Sequence, residues 1–141
     1  MVQKNIWMRY FMFGISVVCV SFFTHCKIHR DYSVKGTYVF MNSTEYVMEV
    51  KASPSFFLKP KQSHTIEVIT DGAKDVTHKS YSPPFWSAIL IYDHVRCDTI
   101  QDLGEGVLGI DNYRHEKIAD RHYMFLYTFT ETDFKKSILC K

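Results

Sequence analysis

No acidic residue precedes Cys26 in this 141-residue chain; its fifteen Asp and Glu all lie further on, and Lys4 and Arg9 are the only Lys or Arg before it. Glycine and proline are scarce, six and four, which excludes collagen-like and Pro/Gly-rich disordered classes. No apolar run reaches the roughly 20 residues that a spanning helix needs. The sequence has no HxH, HExxH or Cys-x-x-Cys spacing, so the usual structural and catalytic zinc patterns are missing. Once Lys4 and Arg9 are set aside, fifteen basic residues face fifteen acids, so the chain beyond Cys26 is formally neutral. Without a basic tract to neutralise phosphates, nucleic acid is not expected as a partner.

Aromatic residues are plentiful, with eleven Phe, nine Tyr and two Trp. Flat and branched side chains pack well on a pleated surface, so this composition favours strands. The N-terminus is organised differently. Residues 1–10 carry Lys4 and Arg9; residues 11–23 (FMFGISVVCVSFF) are an apolar run; charge returns at Lys27, Arg30 and Asp31. A basic segment followed by 7–15 apolar residues is the pattern of a secretory signal. The expected division is a signal peptide over residues 1–25, with its own helix, a polar tether over 26–35, and one domain over 36–141. The stretch Phe22-Phe23-Thr24-His25-Cys26 resembles the end of a bacterial lipoprotein signal, which implies diacylglycerol attached to Cys26 and cleavage before it. Plain secretion and an apolar segment retained as an inner-membrane anchor are the alternatives.

Beyond the tether the patterning has period two. Residues 37–41 and 46–51 read as strands around the turn cluster Asn42-Ser43-Thr44, with Tyr46, Met48 and Val50 facing inward. Residues 56–58, bracketed by Pro54 and Pro60, suit a short apolar segment at an edge or a sheet crossing. Residues 64–70 form the next strand, closed by the turn dipeptide Asp71-Gly72. A long polar connection over 73–84 leads to residues 85–92 (FWSAILIY), apolar enough for a fully buried central strand, which turns at Asp93-His94 into 95–100. Gly104, Gly106 and Gly109 mark 101–109 as a loop, with a brief pairing expected at 107–110. In the last strand, 121–129, Tyr123, Phe125, Tyr127 and Phe129 share one face. Thr130 followed by Asp133 predicts a capped C-terminal helical turn. Together these predict an all-β fold: a small immunoglobulin-like or related β-sandwich of about seven strands.

The segments TYVFMNSTEYVMEV, FFLKPKQSHTIEV and YTFTETDF resemble those of small lipoproteins of unknown function common in Bacteroidota. The resemblance implies a sandwich held at an outer membrane and implies no activity. Where surface-displayed members carry an acidic run after the lipidated cysteine, this chain has Lys27-Ile28-His29-Arg30-Asp31, which implies the periplasmic side.

Candidate chemistry is thin, and neither a catalytic motif nor a cofactor or metal motif is found. Of the four cysteines, Cys19 lies in the apolar run of the expected signal, so Cys97 and Cys140 are left beside Cys26; either they pair or they stand as two separate thiols, since spacing fixes no connectivity. His25, His29, His64, His78, His94, His115 and His122 are scattered and read as loop or strand-face residues. The acids between Asp98 and Glu105 lack the ligand order of an EF-hand loop and read as solvated turn carboxylates. Asn42-Ser43-Thr44 matches the glycosylation acceptor pattern and reads more simply as a turn. Tyr81-Ser82-Pro83-Pro84-Phe85-Trp86 is the stretch to test for ligand binding, because proline-stiffened aromatics offer contact area at low entropy cost. In the rival reading, Phe85 and Trp86 plug one end of the sandwich. The partners expected are the membrane, through the lipid anchor, and an envelope protein or glycan.

Overall fold

The computed structural model describes residues 32–141. The signal peptide expected over residues 1–25, its helix and the acceptor Cys26 lie outside the described residues. Nine strands follow in order: β1 (Tyr32–Asn42), β2 (Met48–Lys51), β3 (Phe56–Leu58), β4 (Ser63–Gly72), β5 (Ala88–Tyr92), β6 (Arg96–Ile100), β7 (Arg114–Ala119), β8 (His122–Phe129) and β9 (Ile138–Leu139). A single short helix, α1 (Glu131–Lys136), separates the last two. Two sheets form, β4-β1-β8-β7 and β3-β2-β5-β6-β9. The all-β sandwich expected from the patterning is the fold found.

Alternation decides what each strand buries, because successive side chains point to opposite faces. From the first sheet, Val34, Tyr38, Phe40, Phe125, Tyr127 and Phe129 turn inward; from the second come Met48, Val50, Phe56, Leu58, Ala88, Leu90, Tyr92 and Ile100. They form one core cluster. The inner faces read from the sequence in β2 and β8 are the faces observed, with Tyr46 and Tyr123 partly buried at their ends.

Several boundaries differ from expectation. The chain is already in β1 at Tyr32, not from Gly36, because Tyr32 to Lys35 pair with Ile69 to Gly72 of β4; residues 32–35, assigned to the tether, are strand. Asp71 and Gly72 do not turn, being the last paired residues of β4. β5 is central, between β2 and β6, but buries one face only, since Ala88, Leu90 and Tyr92 are enclosed while Ile89 and Ile91 are not. Residues 106–108 and 110–112 are 3-10 turns, with no strand pairing.

β1 lies parallel to β8 and antiparallel to β4, so the first and last long strands are central neighbours in one sheet. The immunoglobulin arrangement places its first, second, fourth and fifth strands in one sheet and the others opposite. Here the first sheet holds β1, β4, β7 and β8, a related sandwich with a different order.

The far end of the sandwich is closed by α1. Asp133 Oδ2 accepts hydrogen bonds from the Thr130 N–H at 2.8 Å and the Thr130 hydroxyl at 2.9 Å, the cap expected from the sequence. Phe134 stacks on Tyr46 with ring centroids 3.9 Å apart and meets the Tyr92 ring edge-on at 5.5 Å. Arg96 lies over the Phe134 ring and donates to the Ser137 hydroxyl at 3.1 Å and to the Ser137 carbonyl.

Tyr92 is fully buried, and its hydroxyl has no hydrogen-bond partner among the described residues. An unpaired buried hydroxyl costs about 1–3 kcal/mol. Tyr92→Phe is therefore expected to stabilise the domain by about 1 kcal/mol in a urea titration. A loss of similar size would mean that the hydroxyl is in fact bonded.

Candidate functional site

After β4 the chain leaves the first sheet and joins the second only at Ala88. Its path in between is fixed by inward-pointing anchors. A 3-10 turn, His78–Ser80, is closed by Ser80 N–H to the Thr77 carbonyl at 2.9 Å, and the His78 ring stacks on His115 of β7 at 3.9 Å. Tyr81 packs its ring against Tyr123 and Phe125, at 5.4 and 5.2 Å, and its hydroxyl donates to the Arg121 carbonyl at 2.9 Å. Tyr38, in the middle of β1, donates its hydroxyl to the Ser82 carbonyl at 2.6 Å. Phe85 inserts against Phe40, with centroids 5.2 Å apart.

Pro83 and Pro84 span the stretch between these anchors, and proline fixes φ near −65°. Phe85 turns into the core, and Trp86, the next residue, stands 83% exposed. The stretch picked out by sequence is therefore split in role. Tyr81 and Phe85 are core anchors, and Trp86 is presented to solvent. Phe85 plugs the sandwich as the rival reading holds; Trp86 does not.

A second loop rises beside the indole. Gly104 and Gly106 take positive φ, 106° and 47°, and a Cβ on Gly109 would run into the Gly104 carbonyl, so three glycines let the chain fold back on itself. Asn112 Nδ2 donates to the Gly104 and Gly106 carbonyls at 3.0 and 2.9 Å, and the Tyr113 hydroxyl donates to the Val107 carbonyl at 2.7 Å. This folding leaves Leu103 70% exposed at the loop tip. Sequence reasoning missed Leu103. The available signal was an apolar residue set between Asp102 and Gly104 in a turn, where the backbone offers nothing to bury it.

Three depressions meet at Trp86. One of ≈ 360 Å³ includes Pro83, Leu103, Leu108 and Ile110 in its wall and is mainly apolar. Another of ≈ 340 Å³ lies against Val34, Gly36, Thr70 and Pro84. The third, ≈ 490 Å³, is lined by Glu49, Lys51, Ser53, Ser55 and Ser87. The second fixes the position of the crest: it shares walls with the first residues of β1. At the same end, Lys35 N–H bonds the Arg121 carbonyl at 2.9 Å in the turn before β8. Trp86 thus sits at the end of the sandwich where the chain enters the fold.

The phenols beneath the crest remain neutral donors. Burial, reinforced by Tyr123 and Asp120, raises the pKa of Tyr81 above the ordinary tyrosine value. Burial, with Tyr81 nearby, does the same to Tyr38. Both hold backbone carbonyls and serve to position the loop. The crest presents an indole and a leucine, with Glu49, Lys51 and Asp111 in the adjoining walls, and these residues form no paired nucleophile and base. A hydroxyl–imidazole contact does occur between Thr37 Oγ1 and His122 Nε2 at 3.0 Å, but neither residue lines any of the three depressions. Among the described residues, no three His, Cys, Asp or Glu side chains converge as a metal site would require. His64 instead stacks on Phe56 at 4.3 Å.

Cys97 and Cys140 are joined as a disulfide, with Cα atoms 5.0 Å apart, which ties the C-terminal residues to β6 at the other side of the molecule. Asn42, read as a turn residue and as a glycosylation pattern, is fully buried with both amide hydrogens bonded, so the folded chain presents no acceptor there.

These features define a small two-sheet β-sandwich with an aromatic crest at one end. No protein-family model, curated protein or solved structure matches the chain.

Proposed function

We propose that this protein is an exported, non-enzymatic module of the bacterial envelope, anchored by lipid at Cys26, whose crest around Trp86 is its contact surface. The reading rests on the basic residues Lys4 and Arg9, the apolar run over 11–23, and the cysteine that follows. It accords with the likeness to small Bacteroidota lipoproteins and with placement on the periplasmic side of the outer membrane. The observation that carries it is one of spacing. A packed sandwich begins at Tyr32, six residues after Cys26, and its most exposed large apolar side chain lies at that same end. An anchored module needs a short connection and a surface to present, and this chain has both.

The competing readings are a soluble periplasmic or secreted enzyme and an inner-membrane protein that keeps its N-terminal segment. Labelled palmitate fed to cells is expected to enter the wild-type protein and to be lost completely from Cys26→Ser. Intact-mass measurement of the purified protein then separates the cases. A chain starting at Met1 without acyl mass would establish the retained segment, and a shortened chain without acyl mass would establish plain secretion.

A further inference from the structure

If Cys26 carries the lipid, the chain between the anchor and β1 sets a distance. Six residue steps at a maximum of about 3.6 Å each reach about 20 Å. The entry end of the sandwich is therefore held within about 20 Å of the anchor, close enough to reach the headgroup layer. That end carries Trp86, 83% exposed, with Leu103, 70% exposed, across the shared apolar depression. Indole has an apolar body and one N–H donor, and tryptophan concentrates where acyl chains meet headgroups. Pro83, Pro84 and the anchors Tyr81 and Phe85 fix the presenting loop, so little conformational entropy is lost on contact.

We propose that the Trp86–Leu103 crest inserts into the headgroup region of the membrane that holds the acyl anchor, which orients the domain upright on the bilayer. The inference rests on the lipid-anchor reading of Cys26. It assigns the occupant of the crest as a lipid surface, in preference to a protein or a glycan. Charge has little part in the contact. Lys74, Lys79 and Arg121 at this end face Asp71, Asp75 and Asp120, while Leu103 is flanked by Asp102 and Glu105 with Asp111 in the same depression, so no excess of positive charge draws the crest to an anionic surface. A zwitterionic bilayer is therefore sufficient. The sandwich then stands with its far end, closed by α1, turned away from the bilayer.

The sequence supplies its own reporter. Trp7 and Trp86 are the two tryptophans, and removal of the signal leaves Trp86 alone. Mature protein purified from cells is reconstituted into phosphatidylcholine vesicles whose acyl chains carry bromine close to the headgroup, and acylation is read on the same sample by intact mass. The expected result is acylated protein whose Trp86 emission is blue-shifted and quenched about two-fold or more relative to unbrominated vesicles. Raising salt to about 0.5 M is expected to leave the quenching unchanged, since exposed charges are screened there. Acylated protein with an unquenched, water-like emission overturns the crest contact and leaves the anchor standing. The same result accompanied by an emission shift on adding soluble peptidoglycan fragments reassigns the crest to a glycan. Protein without an acyl chain removes the anchor reading and this inference with it.

Discussion

Breaking the Cys97–Cys140 bond is expected to lower the stability of the domain by about 4 kcal/mol, the chain-entropy value for a loop of this length. The two cysteines are 43 residues apart in sequence, so the bond closes a loop that includes β7, β8 and α1. The loss has a local component as well. β9 holds to β6 through only two residue pairs, Arg96 with Leu139 and Cys97 with Ile138, and one further bond from the Cys140 N–H to the Val95 carbonyl at 2.8 Å. Ile138 and Leu139 are exposed and add almost no burial. Without the covalent tie, these bonds and those from Arg96 to Ser137 are what hold this strand in place. Urea titration of the Cys97→Ser, Cys140→Ser double variant is the measurement. With a slope of about 1.5 kcal/mol/M, the midpoint is expected to fall by about 2–3 M, and reductant is expected to do the same to wild type. An unmoved midpoint would show that the loop is already restrained in the unfolded chain.

Asn42→Ala is expected to cost about 3 kcal/mol, more than a typical surface or turn substitution. Asn42 is fully buried where β1 gives way to the crossing into the second sheet, and its side chain uses all of its hydrogen-bonding capacity. Its Nδ2 donates to the Tyr46 carbonyl at 2.7 Å and the Leu58 carbonyl at 3.2 Å. Its Oδ1 accepts from the Thr44 N–H at 3.0 Å and the Thr44 hydroxyl at 2.7 Å. The amide thus joins the end of β1 to the approach to β2 and the end of β3. Alanine would leave the Leu58 carbonyl and the Thr44 N–H without their side-chain partner and would leave the Tyr46 carbonyl only the Thr44 hydroxyl, at 3.4 Å. Asn42→Asp separates hydrogen bonding from shape: it keeps the acceptors but sets a carboxylate against two carbonyl oxygens, so it is expected to destabilise at least as much as alanine at neutral pH. Equilibrium unfolding of the three proteins checks both expectations, and an aspartate variant as stable as wild type would refute this account of the network.

How much of this was readable from the chain depended on whether a segment advertises its burial. The inward stripe of β2 was legible because Tyr46, Met48 and Val50 alternate with Val47, Glu49 and Lys51, and that of β8 because every second residue from Tyr123 to Phe129 is aromatic. The cap of α1 was legible because Thr130 and Asp133 satisfy it within four residues. β7 was not, because Arg114, His115, Glu116, Lys117, Ile118 and Ala119 are all exposed; an edge strand that buries neither face carries no periodic signal. The start of β1 was missed for a similar reason, since Tyr32 to Lys35 are held by backbone pairing to β4 and only Val34 of the four is buried.

The sequence by itself determined the all-β class and the inward faces of β2 and β8, because these depend on local composition and on the two-residue period of a strand. Only the tertiary structure decided that β1 runs beside β8, that Cys97 meets Cys140, and that Phe85 goes in while Trp86 stays out. Each of those depends on which distant segments share space. For the last two residues, adjacent in sequence and alike in chemistry, the structure seats Phe85 against Phe40 and leaves Trp86 on the outer side.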